Sequence, residues 1–199
     1  MLALAIAALA PAVAQAIVEE PVTAELDGDP ALERLVPAPV EDRFGFQQRR
    51  VVLEDDCGPR AYGITPPRDT VAVLRVLEAD GDDRRPEILA EGRSGASGRA
   101  GITRLARAGA PCAPPRILFS YSSTQPRPRP PRGFYVTNYG VSVRDYSSDH
   151  RGREIRLQEA LVRRGDPPLA ASRQRLSYWR HQRSGDRWVR YRSRVTRLG

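Results

Sequence analysis

The chain has 199 residues, a formal net charge of +8, two cysteines and two histidines. That length suits one domain of ordinary size, and so few Cys and His leave no zinc site of the usual ligand count. All 32 basic side chains other than histidine are arginine; residues 17–56 carry 11 acids against 4 Arg, and residues 57–199 carry 13 against 28. The basic part therefore suits an anionic partner such as a cell-wall polymer or a surface protein, or the acidic segment itself.

Residues 1–16 form an uncharged run of Leu, Ala, Ile and Val ending in Ala14-Gln15-Ala16. An apolar run followed by small residues reads as a signal peptide cleaved after Ala16, which makes the chain secreted or extracytoplasmic. No other segment is apolar enough to cross a membrane as a helix, so no transmembrane segment is expected. In an exported chain, Cys57 and Cys112 are expected to pair as a structural disulfide. Residues 17–43 are acidic and contain proline, which points to a largely disordered N-terminal arm.

From residue 44 onward, short β-branched and aromatic segments alternate with Gly, Pro and Asp. The segments are 50–53, 71–77, 87–90, 102–105 and 116–121, then 134–137, 140–144, 154–162, 175–181 and 187–195. This spacing without an amphipathic helix predicts an all-β domain, although residues 154–162 fit neither helical nor strand period cleanly. Residues 125–132, Gln-Pro-Arg-Pro-Arg-Pro-Pro-Arg, lack the amide donors a sheet needs and read as a semi-rigid spacer. The expected organisation is a first β unit at 44–124, the spacer, and a second β unit at 133–199. These are two related antiparallel units, propeller-blade-like sheets, packed as one small domain.

The last segments form a hairpin around Ser184-Gly185-Asp186. In a regular strand, Trp188, Arg190 and Arg192 share one face. Arg187, Arg190, Arg192 and Trp188 are thus a candidate anion-binding face. Arginine interleaved with aromatics also suits single-stranded nucleic acid, but export argues against that partner.

Two acidic loops support the repeat. Glu78-Ala-Asp80-Gly-Asp82 runs on to Glu87-Ile88, and 67 residues later Asp145-Tyr-Ser147-Ser-Asp149 runs on to Glu154-Ile155. Carboxylates at alternate positions of a tight loop converge on one point, as a calcium ion requires. Glu78, Asp80, Asp82 and Glu87 are the candidate metal ligands, with Ca²⁺ as a structural cofactor. The second loop keeps two carboxylates and no Gly at its turn. Val76-Leu-Glu78-Ala-Asp80-Gly-Asp82 with Arg85-Pro86-Glu87-Ile88 resembles the repeated Asp-rich motif of FG-GAP and VCBS-type repeats. That resemblance implies blade-like sheets, structural calcium, and recognition rather than catalysis.

Little favours an enzyme. His150 lies in an acidic loop and His181 beside a turn, where a solvated role is expected. Ser94 and Ser97 lack the order of a nucleophile elbow. Glu78, Glu87, Asp145 and Glu154 are the only set with the composition of a hydrolytic carboxylate pair. The reading is therefore a non-enzymatic, secreted β-repeat protein with a structural or recognition role. The alternatives are an Arg-rich module for anionic cell-surface polymer and, behind it, a secreted hydrolase.

Overall fold

The middle of the chain folds into a sheet whose second strand is buried on both faces. Strand Glu87–Ser94 alternates its side chains between two separate cores, with Ile88 and Ala90 entering one and Leu89 the other. Alternation along a strand sends neighbours to opposite faces, so an apolar run in such a sheet must be covered on both sides. The structure, a computed structural model, describes residues 20–41, 43–45, 47–62, 70–80, 85–94, 100–144, 153–182, 184 and 187–198.

The fold is all-β, with twelve strands among the described residues. Sheet 1 contains β1 (Val22–Ala24), β2 (Glu33–Glu41), β3 (Gln47–Asp55) and β4 (Gly58–Tyr62). Sheet 2 contains β5 (Thr70–Leu77), β6 (Glu87–Ser94), β7 (Ala100–Arg107) and β8 (Arg116–Ser122). Sheet 3 contains β9 (Phe134–Arg144), β10 (Glu154–Arg163), β11 (Arg173–Gln182) and β12 (Arg187–Arg197). Each sheet is an antiparallel meander.

One core lies between sheets 1 and 2, where Leu26, Leu35, Val51 and Leu53 meet Val71, Leu74, Ile88 and Ala106. The other lies between sheets 2 and 3, where Leu89, Leu105, Phe119 and Tyr121 meet Tyr139, Ile155, Leu157, Trp179 and Trp188. Each fully buried Leu or Ile contributes roughly 1.5–3 kcal/mol of transfer free energy. Phe119 meets Trp179 edge-on with ring centroids 5.4 Å apart.

The second strands of the three sheets align on a common glutamate: Glu33, Glu87 and Glu154 each open their strand. The next residue faces the preceding sheet and is Ile88 in sheet 2 and Ile155 in sheet 3, but Arg34 in sheet 1. The residue after that faces the following sheet and is Leu35 in sheet 1 and Leu89 in sheet 2, but Arg156 in sheet 3. Arginine thus stands at the two equivalent positions that have no sheet to meet among the described residues. Arg34 is half exposed and pairs with Glu54 at 2.8 Å.

One expectation about the architecture is corrected. Three sheets are present rather than two, because the stretch expected as a disordered arm carries β1 and β2, and the expected first unit spans β3 to β8. Prolines and acids obscured this stretch, yet Leu26 and Leu35 are fully buried, with Val22 and Ala24 packed against the same core. Residues 154–162, expected among the β segments although they fit neither period cleanly, do lie in a strand, since β10 pairs with β9 on one side and β11 on the other. Residues 125–132 connect β8 to β9. The expected signal peptide lies outside the described residues, and among those described no helix is long and apolar enough to cross a membrane.

Cys57, in the β3–β4 turn, is bonded to Cys112, in the β7–β8 loop, with Cα atoms 5.7 Å apart. The bridge therefore staples sheet 1 to sheet 2. Beside it, Arg60 donates to the Cys112 carbonyl at 2.6 Å and to Asp55 at 2.6 Å. The Arg60 guanidinium holds the Asp55 carboxyl below its usual range. Closing a loop of this length stabilises by about 4 kcal/mol in the chain-entropy description. Guanidinium unfolding of a Cys57→Ala/Cys112→Ala variant is expected to show a loss of that order. Two titratable thiols in the native oxidised protein would refute the staple.

Candidate functional site

The loop joining the first two strands of each sheet carries the acids. In sheet 2, β5 ends at Leu77, the chain turns, and β6 begins at Glu87, so the β6 carboxylate faces back into the loop. Glu87 is fully buried. Its Oε2 accepts the Ala79 N–H at 2.7 Å and its Oε1 accepts from Arg107 at 2.8 Å. Arg107, at the end of β7, also donates to Asp80, which is almost fully buried. Glu78, Asp80 and Glu87 can place carboxylate oxygens within 4.8 Å of one another. Burial raises the Glu87 carboxyl above its ordinary range, against the opposing pull of Arg107 and the Ala79 amide.

Of the expected metal ligands, three converge and Asp82 lies outside the described residues. Arg107 occupies the place of a cation between Asp80 and Glu87, so the protein's own side chain offsets part of this cluster's charge. A calcium ion fits poorly where a guanidinium already bridges two of the three ligands. Asp145, Ser147 and Asp149 also lie outside the described residues.

The sequence reading missed a third acidic loop. Glu25-Leu26-Asp27-Gly28-Asp29 runs to Glu33 in sheet 1 and mirrors Glu78-Ala79-Asp80-Gly81-Asp82 running to Glu87. Glu33 Oε2 accepts the Leu26 N–H at 2.5 Å, as Glu87 accepts that of Ala79. Glu25 accepts the Gly28 N–H, and Gly28 sits at φ +94°, a conformation that favours glycine. Glu25, Asp27 and Glu33 also converge within 4.8 Å. The Arg85 guanidinium lies against Gly28 in this loop, but no ion pair joins an arginine to Glu25, Asp27 or Glu33 among the described residues, so their oxygens fit a hard cation better than those of the sheet 2 cluster, which Arg107 bridges. Burial raises the Glu33 carboxyl, with Asp27 and Asp29 adding repulsion. The legible signal was the shared Glu-x-Asp-Gly-Asp string.

Glu154 is the third member of the glutamate set and is 1% exposed. Its carboxylate oxygens are buried, and the group nearest to hand for them is the Tyr191 hydroxyl. That hydroxyl lies near enough that burial and Glu154 together push the phenol up to about 12. Glu154 is in neither of the converging carboxylate sets, although the Arg153 N–H bonds the Ala79 carbonyl at 2.7 Å and so brings the start of β10 beside the sheet 2 loop. Ser97 lies outside the described residues.

The candidate anion-binding face divides. Arg187, Arg190 and Arg192 are exposed, whereas Trp188 is 8% exposed and packs in the core between sheets 2 and 3. The physical reason is a bulge: Tyr178 pairs with Arg192 but Trp179 pairs with Arg190, leaving Tyr191 as the extra residue. A bulge resets alternation, so Trp188 and Arg190 share the inner side while Arg192 turns to the outer face. His181, expected to be solvated, is 7% exposed, with Nδ1 3.9 Å from Asp80 and its ring 5.8 Å from that of Trp188.

No protein-family model, curated protein or solved structure matches the chain.

The buried glutamates make stability depend on pH. A carboxyl raised in the folded state stabilises fully below its unfolded value, near 4.5, and loses that contribution as pH rises through the raised value. With chelator present, the melting temperature is expected to fall as pH rises above 4.5. Glu33→Gln keeps an acceptor for the Leu26 amide but cannot ionise, so its profile should fall less steeply. Parallel profiles for the two proteins would contradict the assignment.

Proposed function

We propose that this is an extracytoplasmic, non-enzymatic β-repeat protein whose blade-like sheets serve recognition of an anionic cell-surface polymer. The observation that carries this reading is β12, an eleven-residue edge strand. It exposes Arg187, Arg190, Arg192, Arg194 and Arg197, and among the described residues none of them is paired with a carboxylate. Arg180 lies over the Tyr191 ring and Arg192 over that of Tyr178, at 5.1 and 5.8 Å, which holds charge and aromatic surface together. Arginine of this kind binds carboxylate, phosphate or sulfate oxygens in pairs. The staple between sheets suits an oxidising compartment. Three consecutive four-stranded meanders with a recurring acidic loop support the kinship to FG-GAP and VCBS-type repeats.

Structural calcium belongs to the same reading, and the convergence of Glu25, Asp27 and Glu33 favours it. There the ion would supply positive charge to three carboxylates that otherwise repel one another. At the sheet 2 loop, Glu78, Asp80 and Glu87 would take it only if Arg107 moved aside.

Two measurements test these statements. Substituting Arg187, Arg190 and Arg192 with Gln is expected to weaken retention on an immobilised anionic polymer about 10-fold or more at low salt and to flatten the salt dependence. Retention equal to the parent protein would defeat the β12 assignment. Saturating Ca²⁺ should raise the melting temperature over chelator by about 5 °C, and Asp27→Asn should remove the rise while Asp80→Asn keeps it. An identical melting temperature in Ca²⁺ and chelator would remove calcium from the account.

A further inference from the structure

A large cavity on the described surface lies away from both β12 and the acidic loops. It has a volume of about 780 Å³ and sits between the proline-rich connection after β8 and the start of β9. Three arginines line it, Arg127, Arg129 and Arg164, with Gln125 and Thr137 among the neutral polar residues and Tyr135 among the aromatic ones. All three arginines are exposed, and none of their side chains makes a hydrogen bond or ion pair with a described residue. Like charges gathered around one cavity repel one another unless something anionic enters it.

The walls are fixed in advance. Arg175 is 4% exposed and donates to the Arg129 carbonyl at 2.7 Å and the Pro128 carbonyl at 2.8 Å. Arg175 is itself gripped by both oxygens of the fully buried Glu159, which also accepts the Tyr121 hydroxyl at 2.7 Å. Because Glu159 neutralises Arg175, the strut adds no net charge of its own and leaves Arg127, Arg129 and Arg164 uncompensated. The opposite wall is tied by the Arg164 N–H to the Gly133 carbonyl at 2.8 Å, and the connection closes through the Phe134 N–H to Pro131 at 3.0 Å. Proline on either side of Arg127 and Arg129 restricts the backbone further, so little conformational freedom remains to be lost on binding.

We propose that this cavity is a binding site for a short anionic oligosaccharide, its acid groups held by Arg127, Arg129 and Arg164. The inference rests on the polymer-recognition reading above and names a separate place on the molecule where the acid is read. Guanidinium forks match a carboxylate or a sulfate ester with two parallel hydrogen bonds. The neutral polar groups match sugar hydroxyls, which a nucleobase or an acyl chain does not offer. Tyr135 is the ring left to the ligand, because Arg173 already covers Phe134 at 4.6 Å.

The test is calorimetric titration of the full chain with an oligogalacturonate, a sulfated oligosaccharide and a neutral oligosaccharide, all of the same length. Arg127→Gln/Arg129→Gln/Arg164→Gln is expected to weaken the acidic sugars about 10-fold or more, since each lost contact is a charged hydrogen bond. Arg187→Gln/Arg190→Gln/Arg192→Gln should bind them within about 3-fold of the parent. Dependence of the oligogalacturonate on the cavity arginines assigns carboxylate recognition, and dependence of the sulfated sugar alone assigns ester recognition; either supports the site. No binding of either acidic sugar, equal binding of the neutral one, unchanged binding in the cavity variant, or tighter capture of a single-stranded oligonucleotide overturns it. Loss of long-polymer retention in the β12 variant alone, with no oligosaccharide effect in the cavity variant, leaves the polymer reading standing and removes this one. All six positions are exposed, so unchanged melting temperatures are the control for folding.

Discussion

Everything else in the molecule depends on the centre of the middle sheet being buried on both faces. A sheet needs its apolar residues covered, and a four-stranded meander standing alone has no means of covering two faces. Sheet 2 solves this by lying between its neighbours, with Ile88 and Ala106 on one side and Leu89 and Leu105 on the other. Stability then passes along the stack through nearest-neighbour contacts, as in other repeat architectures. The same logic explains Arg34 and Arg156. Each takes the place of an aliphatic residue at the outermost face of the stack, where a Leu or Ile would be left in water.

The glutamate that opens the second strand has a role that outlasts its neighbours in the loop. At Glu33 and Glu87 the carboxylate ties the loop back to the strand through one amide, Leu26 or Ala79. What differs between copies is how the remaining charge is met. Sheet 2 supplies Arg107, and sheet 1 leaves three acids without an arginine partner among the described residues. Sheet 3 keeps the buried glutamate beside Tyr191. One geometric device thus persists while the counter-charge is replaced, and for that reason sequence similarity between the loops says more about shape than about metal.

The strands were legible in the sequence because short β-branched runs bounded by Gly and Pro have few other outcomes. The disulfide followed from cysteine number and an apolar leader. What could not be read was which strands share a sheet. β1 and β2 looked like an arm because Pro37 and Pro39 interrupt β2 and because acids crowd the loop, properties that local composition scores as disorder. Burial of Leu26 and Leu35 depends on sheet 2, which is far away in sequence. Arg192 was misplaced for a similar reason: a one-residue bulge at Tyr191 is invisible in the alternation it disrupts, and it reverses every side chain beyond it.

Arginine plays two opposed parts here, and burial separates them. Arg93, Arg107 and Arg175 are largely buried, and each meets a buried carboxylate: Glu91 at 2.5 Å, Asp80 with Glu87, and Glu159. A buried charge without its partner is strongly unfavourable, so these pairs are obligatory once the arginine is inside. Arg93 also lies 4.4 Å over the Tyr139 ring, and Gly101 lets that ring approach so closely that a Cβ there would stand 2.7 Å from the Tyr139 hydroxyl. The acids in residues 57–199 are thereby drawn largely into the interior and the loops. The excess positive charge is left on exposed arginines along β12 and around the proline-rich cavity. Cationic surfaces on this protein are therefore a consequence of how its cores are neutralised, and only those held on a rigid frame, as Arg175 holds Arg129, are preorganised to act on a ligand.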